Sequence, residues 1–375
     1  MLISDLDTPS LILDLPKLRA NIAFAKARCK ELGVVWRPHV KTHKCLEIAH
    51  LQLDDPTGPI TVSTVYEAEF FASHGVKDII YAVGIAPHKL PELDNLNRAG
   101  ADIKVVLDSV EAAQAVSKFC KAKETTIGVL IEIDCDGHRS GVKPADPVMV
   151  EIAKALTDGA TFKGVLTHAG ESYSATNIEE ARVHAVGEVK AINTAKDLLA
   201  ANGFVSEIVS VGSTPTLVAS PSAVGVTEYR SGVGTFYDLV MAGVGVCNID
   251  QIAVSVLVSV IGHQKDKGWV ITDGGWLAMS RDRGTANQKV DCGYGLVCDV
   301  HGNLMPDLWV KQCNQEHGVV CRRDGAPLDP KDFPLDMKLR ILPNHACPTA
   351  AAFSVYNVTD GADEVTAHWS RINGW

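Results

Sequence analysis

The chain has 375 residues, 46% of them hydrophobic and 21% charged. That is enough apolar material for one large α/β domain and a smaller companion. The formal net charge is −10 and no basic run occurs, which excludes a nucleic-acid footprint. The opening MLISDLDTPS lacks the cationic start and apolar core of a signal peptide. No apolar run reaches the ~18 residues of a membrane span, so a cytoplasmic protein without a membrane partner is expected.

In chain order, SLILDL (10–15) reads as a strand. DLPKLRANIAFAKARCKELG follows as a helix, with Asp14 as cap, Pro16 in the first turn and Gly33 at the end. Leu18, Ile22, Ala25, Cys29 and Leu32 recur at helical spacing along one face. Short apolar runs then alternate with helical stretches. The runs fall at 34–43, 59–64, 78–84, 102–109, 126–134, 162–170, 207–216 and 227–238. Eight strands with helix-like segments in most gaps predict a parallel sheet closed as a (βα)8 TIM-type barrel. Beyond residue 240 no long amphipathic helix is evident. QIAVSVLVSVIGHQ, KGWVITDGG and MKLRILPNHA read as strands between Gly, Pro and Asp turns. The expected organisation is an α/β barrel over 16–240 and a second, C-terminal β-rich domain made of 1–15 and 241–375. The ten cysteines contain no CxxC pair, and most are expected to be reduced core thiols.

Catalytic groups of such a barrel gather at the C-terminal ends of its strands. The first strand ends in RPHVKTHKC, where His39, Lys41 and His43 alternate and would share one face if extended. The loop after the fifth carries Arg139 in IDCDGHRSGV. The sixth ends THAGESY, with His168 and Tyr173. Gly212, Ser213 and Thr214 close the seventh, and Gly232, Val233 and Gly234 the eighth. Together these last two loops offer the backbone N–H groups of a phosphate nest. An inward-facing Lys41 is costly to bury unless neutralised or bonded. An aldehyde cofactor that also carries a phosphate, pyridoxal 5′-phosphate, meets both conditions. An anion-binding lysine for another phosphorylated ligand meets them equally on these grounds. Further on, PNHACPT sets His345 and Cys347 two apart. An imidazole and a thiolate suit a divalent metal, zinc above all, while a buried core pair is the plainer reading.

DTPSLILDLPKLRANI, RPHVKTHK, IDCDGHRSGV, THAGE, GSTPT and YRSGVG follow one another in an order that resembles the fold-type III pyridoxal phosphate family. The likeness spans nearly the whole chain. It is greatest to the D-threonine aldolase and D-serine dehydratase branch, through PHVKTHK, PNHACPT and WSRINGW. The resemblance implies that Lys41 is the Schiff-base lysine and base, that His168 stacks on the cofactor ring, and that Arg139 reaches the ring hydroxyl. It implies that Gly212, Ser213, Thr214, Gly232 and Val233 hold the phosphate, and that Arg230, or else Tyr229 or Glu228, faces the ring nitrogen. Tyr173 joins the cofactor set. His345 and Cys347 become metal ligands: the aldolase branch resembles His-x-Asp, whereas His-x-Cys resembles the dehydratase, with zinc. The implied activity is elimination of water from a small D-amino acid such as D-serine, D-threonine or 3-hydroxy-D-aspartate, in a homodimer. Retro-aldol cleavage is the alternative, with racemization or non-catalytic cofactor carriage behind it.

Overall fold

The computed structural model describes residues 1–375. The chain opens with strand β1 (Ser10–Asp14) and helix α1 (Leu15–Leu32). The helix begins and ends where its signals predict. Asp14 Oδ1 accepts the Lys17 amide at 3.1 Å, and Gly33 leaves the helix at φ +70°, a conformation glycine adopts without strain.

There follow β2 (Val35–Pro38), α2 (Leu46–Gln52), β3 (Ile60–Val62), α3 (Val65–Ser73), β4 (Asp78–Gly84), α4 (Leu90–Arg98), β5 (Asp102–Leu107), α5 (Val110–Lys123), β6 (Ile127–Ile133), α6 (Val148–Ala155), β7 (Ala160–Thr167), α7 (Ile178–Ala201), β8 (Ile208–Val211), α8 (Thr214–Ala219) and β9 (Glu228–Ser231). Strands β2 to β9 form one eight-stranded sheet in the order β2-β9-β8-β7-β6-β5-β4-β3. All seven pairings within it are parallel. A parallel bridge from His39 to Thr61, with the Val40 amide donating to the Thr61 carbonyl at 3.0 Å, brings its two edges together. This is the expected barrel.

Register sorts the side chains. Paired residues share a face, so Arg37, Lys104, Glu132, Ser210, Glu228 and Arg230 lie on one side with Ile80, Val106, Leu130 and Leu166. Those four apolar residues pack into one buried cluster. Tyr229 lies on the opposite face and reaches α7, so that face meets the helices and the first face lines the barrel interior.

The rest of the chain forms α9 (Leu239–Val244), β10 (Val254–Gln264), β11 (Trp269–Thr272), α10 (Trp276–Met279), β12 (Gly295–Cys298), β13 (Leu304–Cys313), β14 (Gly318–Arg322), β15 (Lys338–Pro343), α11 (Ala346–Ala351), β16 (Val355–Thr359) and β17 (Val365–Ser370). With β1 these strands make a nine-stranded sheet, ordered β11-β14-β13-β12-β15-β10-β1-β16-β17. Strand β1 runs antiparallel to β10 and parallel to β16. The opening SLILDL therefore joins the C-terminal sheet, as its place before the first helix suggested. Two compact units result: 24–232 with 374–375, and 1–23 with 233–373. The seam lies inside α1 and just after β9, rather than at 16 and 240. All ten cysteines are free thiols, and no helix is long and apolar enough to cross a membrane.

Candidate active site

The first strand is shorter than its sequence suggested, and this changes what RPHVKTHKC does. β2 ends at Pro38. Residues 40–43 turn, with the His43 and Lys44 amides donating to the Val40 carbonyl at 3.2 and 2.7 Å. His39, Lys41 and His43 therefore do not share a strand face. His43 points into the core, fully buried. Its Nδ1 accepts the Cys45 amide at 3.1 Å, which leaves Nε2 to donate to Gln52 Oε1 at 3.0 Å. Lys41 is exposed. Its charge is close enough to reach His39 and His168, and both imidazoles feel it.

Burial, then the positive charges of Lys41 and Arg230, hold His39 well below its usual 6.5. His39 Nδ1 is buried without a hydrogen-bond partner. His168 follows β7. Burial, with Lys41, Arg230 and Arg139 acting the same way against one opposing hydrogen bond, lowers it to about 3. That opposing bond runs from Nδ1 to the Gly212 carbonyl at 2.6 Å. A carbonyl can only accept, so Nδ1 carries the proton and the ring is neutral.

Arg230 lies on the inward face of β9, 5% exposed. It donates to Ser210 Oγ and to the Thr167 carbonyl, both at 2.6 Å. It thus ties β9 to β7 directly beneath His168. Arg139 stands 3.6 Å from Glu132 at the edge of a small recess that also includes Asp134, Asp136, His138 and His168.

Ser213 is the N-cap of α8, and its hydroxyl accepts the Thr216 amide at 3.1 Å in a capping box. That side chain is committed to the helix, 2% exposed. The Thr214 amide lies 3.5 Å from the Tyr173 hydroxyl, so Tyr173 reaches this turn. Gly212 has φ +151°, and a Cβ there would collide with the Arg230 carbonyl. A Cβ on Gly232 would come 2.9 Å from Thr42 Oγ1 and 3.1 Å from the His39 carbonyl. Both glycines are required by close backbone approach.

Of the residues singled out in the sequence, the barrel brings together Lys41, Arg139, His168, Tyr173, Gly212, Ser213, Thr214, Arg230 and Gly232. Tyr229 is not among them. It is fully buried on the helix side of β9, with its hydroxyl 3.4 Å from Glu188. Val233 opens the short turn Val233–Thr235 that follows β9 in the chain.

In the other unit, His345 and Cys347 are not extended as expected. His345 is the N-cap of α11 and Cys347 lies in its first turn. The pair still meets. Burial works against a charged imidazole, but hydrogen bonds to Asp282 and Cys347 carry His345 up to about 11. The Asp282 bond is at Nδ1, 2.6 Å long. The Asp282 carboxylate, held by that bond, sits below the usual range. Asp238, fully buried, caps α9 through Oδ1 and accepts the Ala346 amide through Oδ2 at 2.9 Å. Sequence reasoning found neither Asp282 nor Glu188, and in each case the partner lies far along the chain.

Comparison with known proteins shows the family to which the chain is related. The family described as alanine racemase, N-terminal domain, matches residues 13–239, and the putative serine dehydratase domain matches residues 253–359. The chain is 48% identical over 374 residues to D-threo-3-hydroxyaspartate dehydratase of Delftia sp. (strain HT23), covering 99% of this chain and 98% of that protein. Superposed on the solved structure of that dehydratase, it gives a TM-score of 0.97 with full coverage of both chains. A cysteine-to-alanine variant of a D-threo-3-hydroxyaspartate dehydratase, 48% identical to this chain, has been solved in a metal-free form. The chain is also 28% identical to D-serine dehydratase of Dictyostelium discoideum, covering 100% of this chain and 98% of that one. It is 31% identical to 3-hydroxy-D-aspartate aldolase of Paracoccus denitrificans (strain Pd 1222), covering 94% and 88%.

Proposed function

Because the chain belongs to the fold-type III, alanine racemase-like family of pyridoxal 5′-phosphate-dependent enzymes, in its branch of D-serine dehydratases and D-threonine aldolases, we propose that it eliminates water from a 3-hydroxy-D-amino acid. The substrate would lose its α-hydrogen and β-hydroxyl, and the resulting enamine would hydrolyse to a 2-keto acid and ammonia. The observation that carries this reading is the end-to-end 48% identity with a D-threo-3-hydroxyaspartate dehydratase. The thiol of Cys347, where the resemblance puts a carboxylate in aldolases, supports it.

The residues present fit the cofactor. There is an exposed amine at Lys41, a neutral imidazole fixed by its own hydrogen bond, and a glycine-lined turn with no room for a Cβ. Bound there, pyridoxal phosphate supplies an aldehyde that condenses with amines and a ring that accepts the electron pair released at the substrate α-carbon. Lys41 Nζ is the base that takes the α-proton. His168 presents a flat neutral face whose angle is set by Nδ1, and Arg139 supplies a donor beside it. The Thr214 amide and Tyr173 hydroxyl, with the backbone at Gly232, bind phosphate oxygens. The Gly212 amide is taken by Glu188 Oε1 at 2.9 Å and its carbonyl by His168 Nδ1 at 2.6 Å, so Gly212 shapes the turn instead of donating to the phosphate as expected. Arg230 positions the base of the site through Ser210 and Thr167.

His345 and Cys347 would hold a divalent ion, zinc by the softness of the thiolate, with Asp282 orienting the imidazole. Such an ion supplies Lewis acidity toward a hydroxyl oxygen.

The test is a substrate panel read separately for keto acid and for glycine, with and without added zinc. D-threo-3-hydroxyaspartate should give oxaloacetate and ammonia, and D-serine should give pyruvate. Glycine plus the aldehyde fragment (glyoxylate from 3-hydroxyaspartate, formaldehyde from serine), with no ammonia and no oxaloacetate or pyruvate, would establish the aldolase reading instead.

A further inference from the structure

Helix α7 packs against the barrel through Ala181, Ala185, Glu188, Ala191, Ile192, Ala195 and Leu199. Six of these seven are apolar. The seventh is a carboxylate, 1% exposed. Packing alone would select another alanine or a leucine there, because burying a carboxyl group is costly unless its oxygens are bonded. Burial does raise its pKa, against hydrogen bonds and the Arg230 charge that pull it down. The cost therefore calls for a role.

The bonds show what the role is. Glu188 Oε1 accepts the Ala169 amide at 3.1 Å and the Gly212 amide at 2.9 Å. Oε2 faces the Tyr229 hydroxyl at 3.4 Å. Ala169 is the residue after His168. Gly212 is the residue whose carbonyl fixes His168 Nδ1 at 2.6 Å. One oxygen atom thus holds both the backbone just after the imidazole and the residue whose carbonyl orients it. The same Gly212 precedes Ser213 and Thr214, the turn that opens α8. Neither β7 nor β8 extends its ladder to these amides, which lie just past the strand ends. Without Glu188 both amide donors would be left buried and unpaired.

We propose that Glu188 is a positioning residue: from the helix layer it clamps the ends of β7 and β8, and so sets the tautomer and angle of His168 and the course of the 212–214 turn. It touches neither cofactor nor substrate. This rests on the reading of that turn and of His168 as the cofactor site. The first measurement below needs no cofactor, so the two ideas fail separately.

The experiment compares wild type with Glu188→Gln and Glu188→Ala. In cofactor-free protein, 15N NMR of the histidines, with His168 assigned by its own substitution, should show a single Nδ1–H tautomer in wild type. Glu188→Gln keeps an oxygen that accepts both amides, and should keep that tautomer. Glu188→Ala should show mixed tautomers and a His168 that begins to titrate toward its ordinary value. Fluorescence titration should then find pyridoxal phosphate binding weakened on the order of tenfold in Glu188→Ala and near wild type in Glu188→Gln. Where the alanine variant does not fold, Glu188→Leu fills the same space without an acceptor and gives the same reading. An alanine or leucine variant with an unchanged His168 tautomer and unchanged cofactor affinity, but a lower Tm, would reduce Glu188 to a structural filler and overturn the proposal. A wild-type protein that shows the tautomer but binds no pyridoxal phosphate would sink the functional reading and leave the clamp standing.

Discussion

Asp282 decides which nitrogen of His345 can meet a metal. Its Oδ2 takes Nδ1 at 2.6 Å, so only Nε2 is left for an ion. A carboxylate in that place also raises the basicity of the ligating nitrogen, and removing such a partner typically costs 10–100-fold in metal affinity. Asp282→Asn should therefore weaken zinc binding by about that factor in a competition with a chromophoric chelator; unchanged affinity would remove Asp282 from the centre. His168 makes a second residue-scale prediction. Its folded pKa is about 3, below the 6.5 of an unfolded histidine. Between those values the unfolded chain binds the extra proton, so His168 makes the fold less stable as pH falls from 6.5 toward 3 and has no effect above 6.5. The slope is at most ~1.4 kcal/mol per pH unit. Denaturant titrations of cofactor-free His168→Gln should show its stability relative to wild type improving as the pH drops through that window, and a difference that does not vary with pH would refute the assignment. Lys41, His168, His345 and Cys347 could be picked out as candidates in the sequence because each stands beside a strand end or in a short pattern with its own chemistry. Asp282 and Glu188 were not. A carboxylate on a long charged helix looks like a solvated one until the partner amides are brought to it from other strands.

At the scale of elements, the barrel is tied by charge as well as by ladder bonds. Arg37 on β2 is 3% exposed. Its Nε donates to Glu228 on β9 at 2.8 Å, and its two terminal nitrogens grip the Asp78 carboxylate on β4 at 3.0 Å each. The guanidinium thus reaches both neighbours of the closing seam, where β2 meets β3 through little more than the His39–Thr61 bridge. Removing one partner of a buried pair leaves the other charge unpaired and costs about 3–5 kcal/mol. Arg37→Met should lose stability of that size in urea unfolding, and the double variant with Glu228→Gln should regain part of it. A loss below ~1 kcal/mol in the single variant would show that the seam does not depend on the pair. Sequence patterns located all eight barrel strands because each is a short apolar run bounded by turn signals, and α1 because its cap, period and terminal glycine agree. The C-terminal strands were harder to see. β17 alternates half-buried and exposed residues, and β13 contains Pro306 and Asp307, the latter at φ +64°. Neither offers the continuous apolar run that marks a parallel strand buried on both faces.

For the molecule as a whole, the course of the chain couples its two units. Residues 1–23 belong with 233–373, and residues 24–232 form the barrel unit. The division falls within α1, one unbroken helix from Leu15 to Leu32. Helix formation is cooperative along the segment, so losing either half exposes the apolar face of the other, Leu18 and Ile22 on one side and Ala25 and Cys29 on the other. The residues proposed to hold the cofactor sit almost wholly in the barrel unit, while His345 and Cys347, the proposed metal pair, sit in the other. A ligand that binds only the folded state raises its stability by RT ln(1 + [L]/Kd), ~2.7 kcal/mol at a hundredfold excess over Kd. Calorimetry with pyridoxal phosphate alone and with zinc alone should therefore move one shared transition upward by a few degrees in each case. Two transitions, with pyridoxal phosphate shifting one and zinc the other, would mean that α1 frays at the division and that each unit folds on its own account. A glycine placed at Ala23 should push the protein toward that second behaviour, because it weakens the helix by about 1 kcal/mol at the point where the units join.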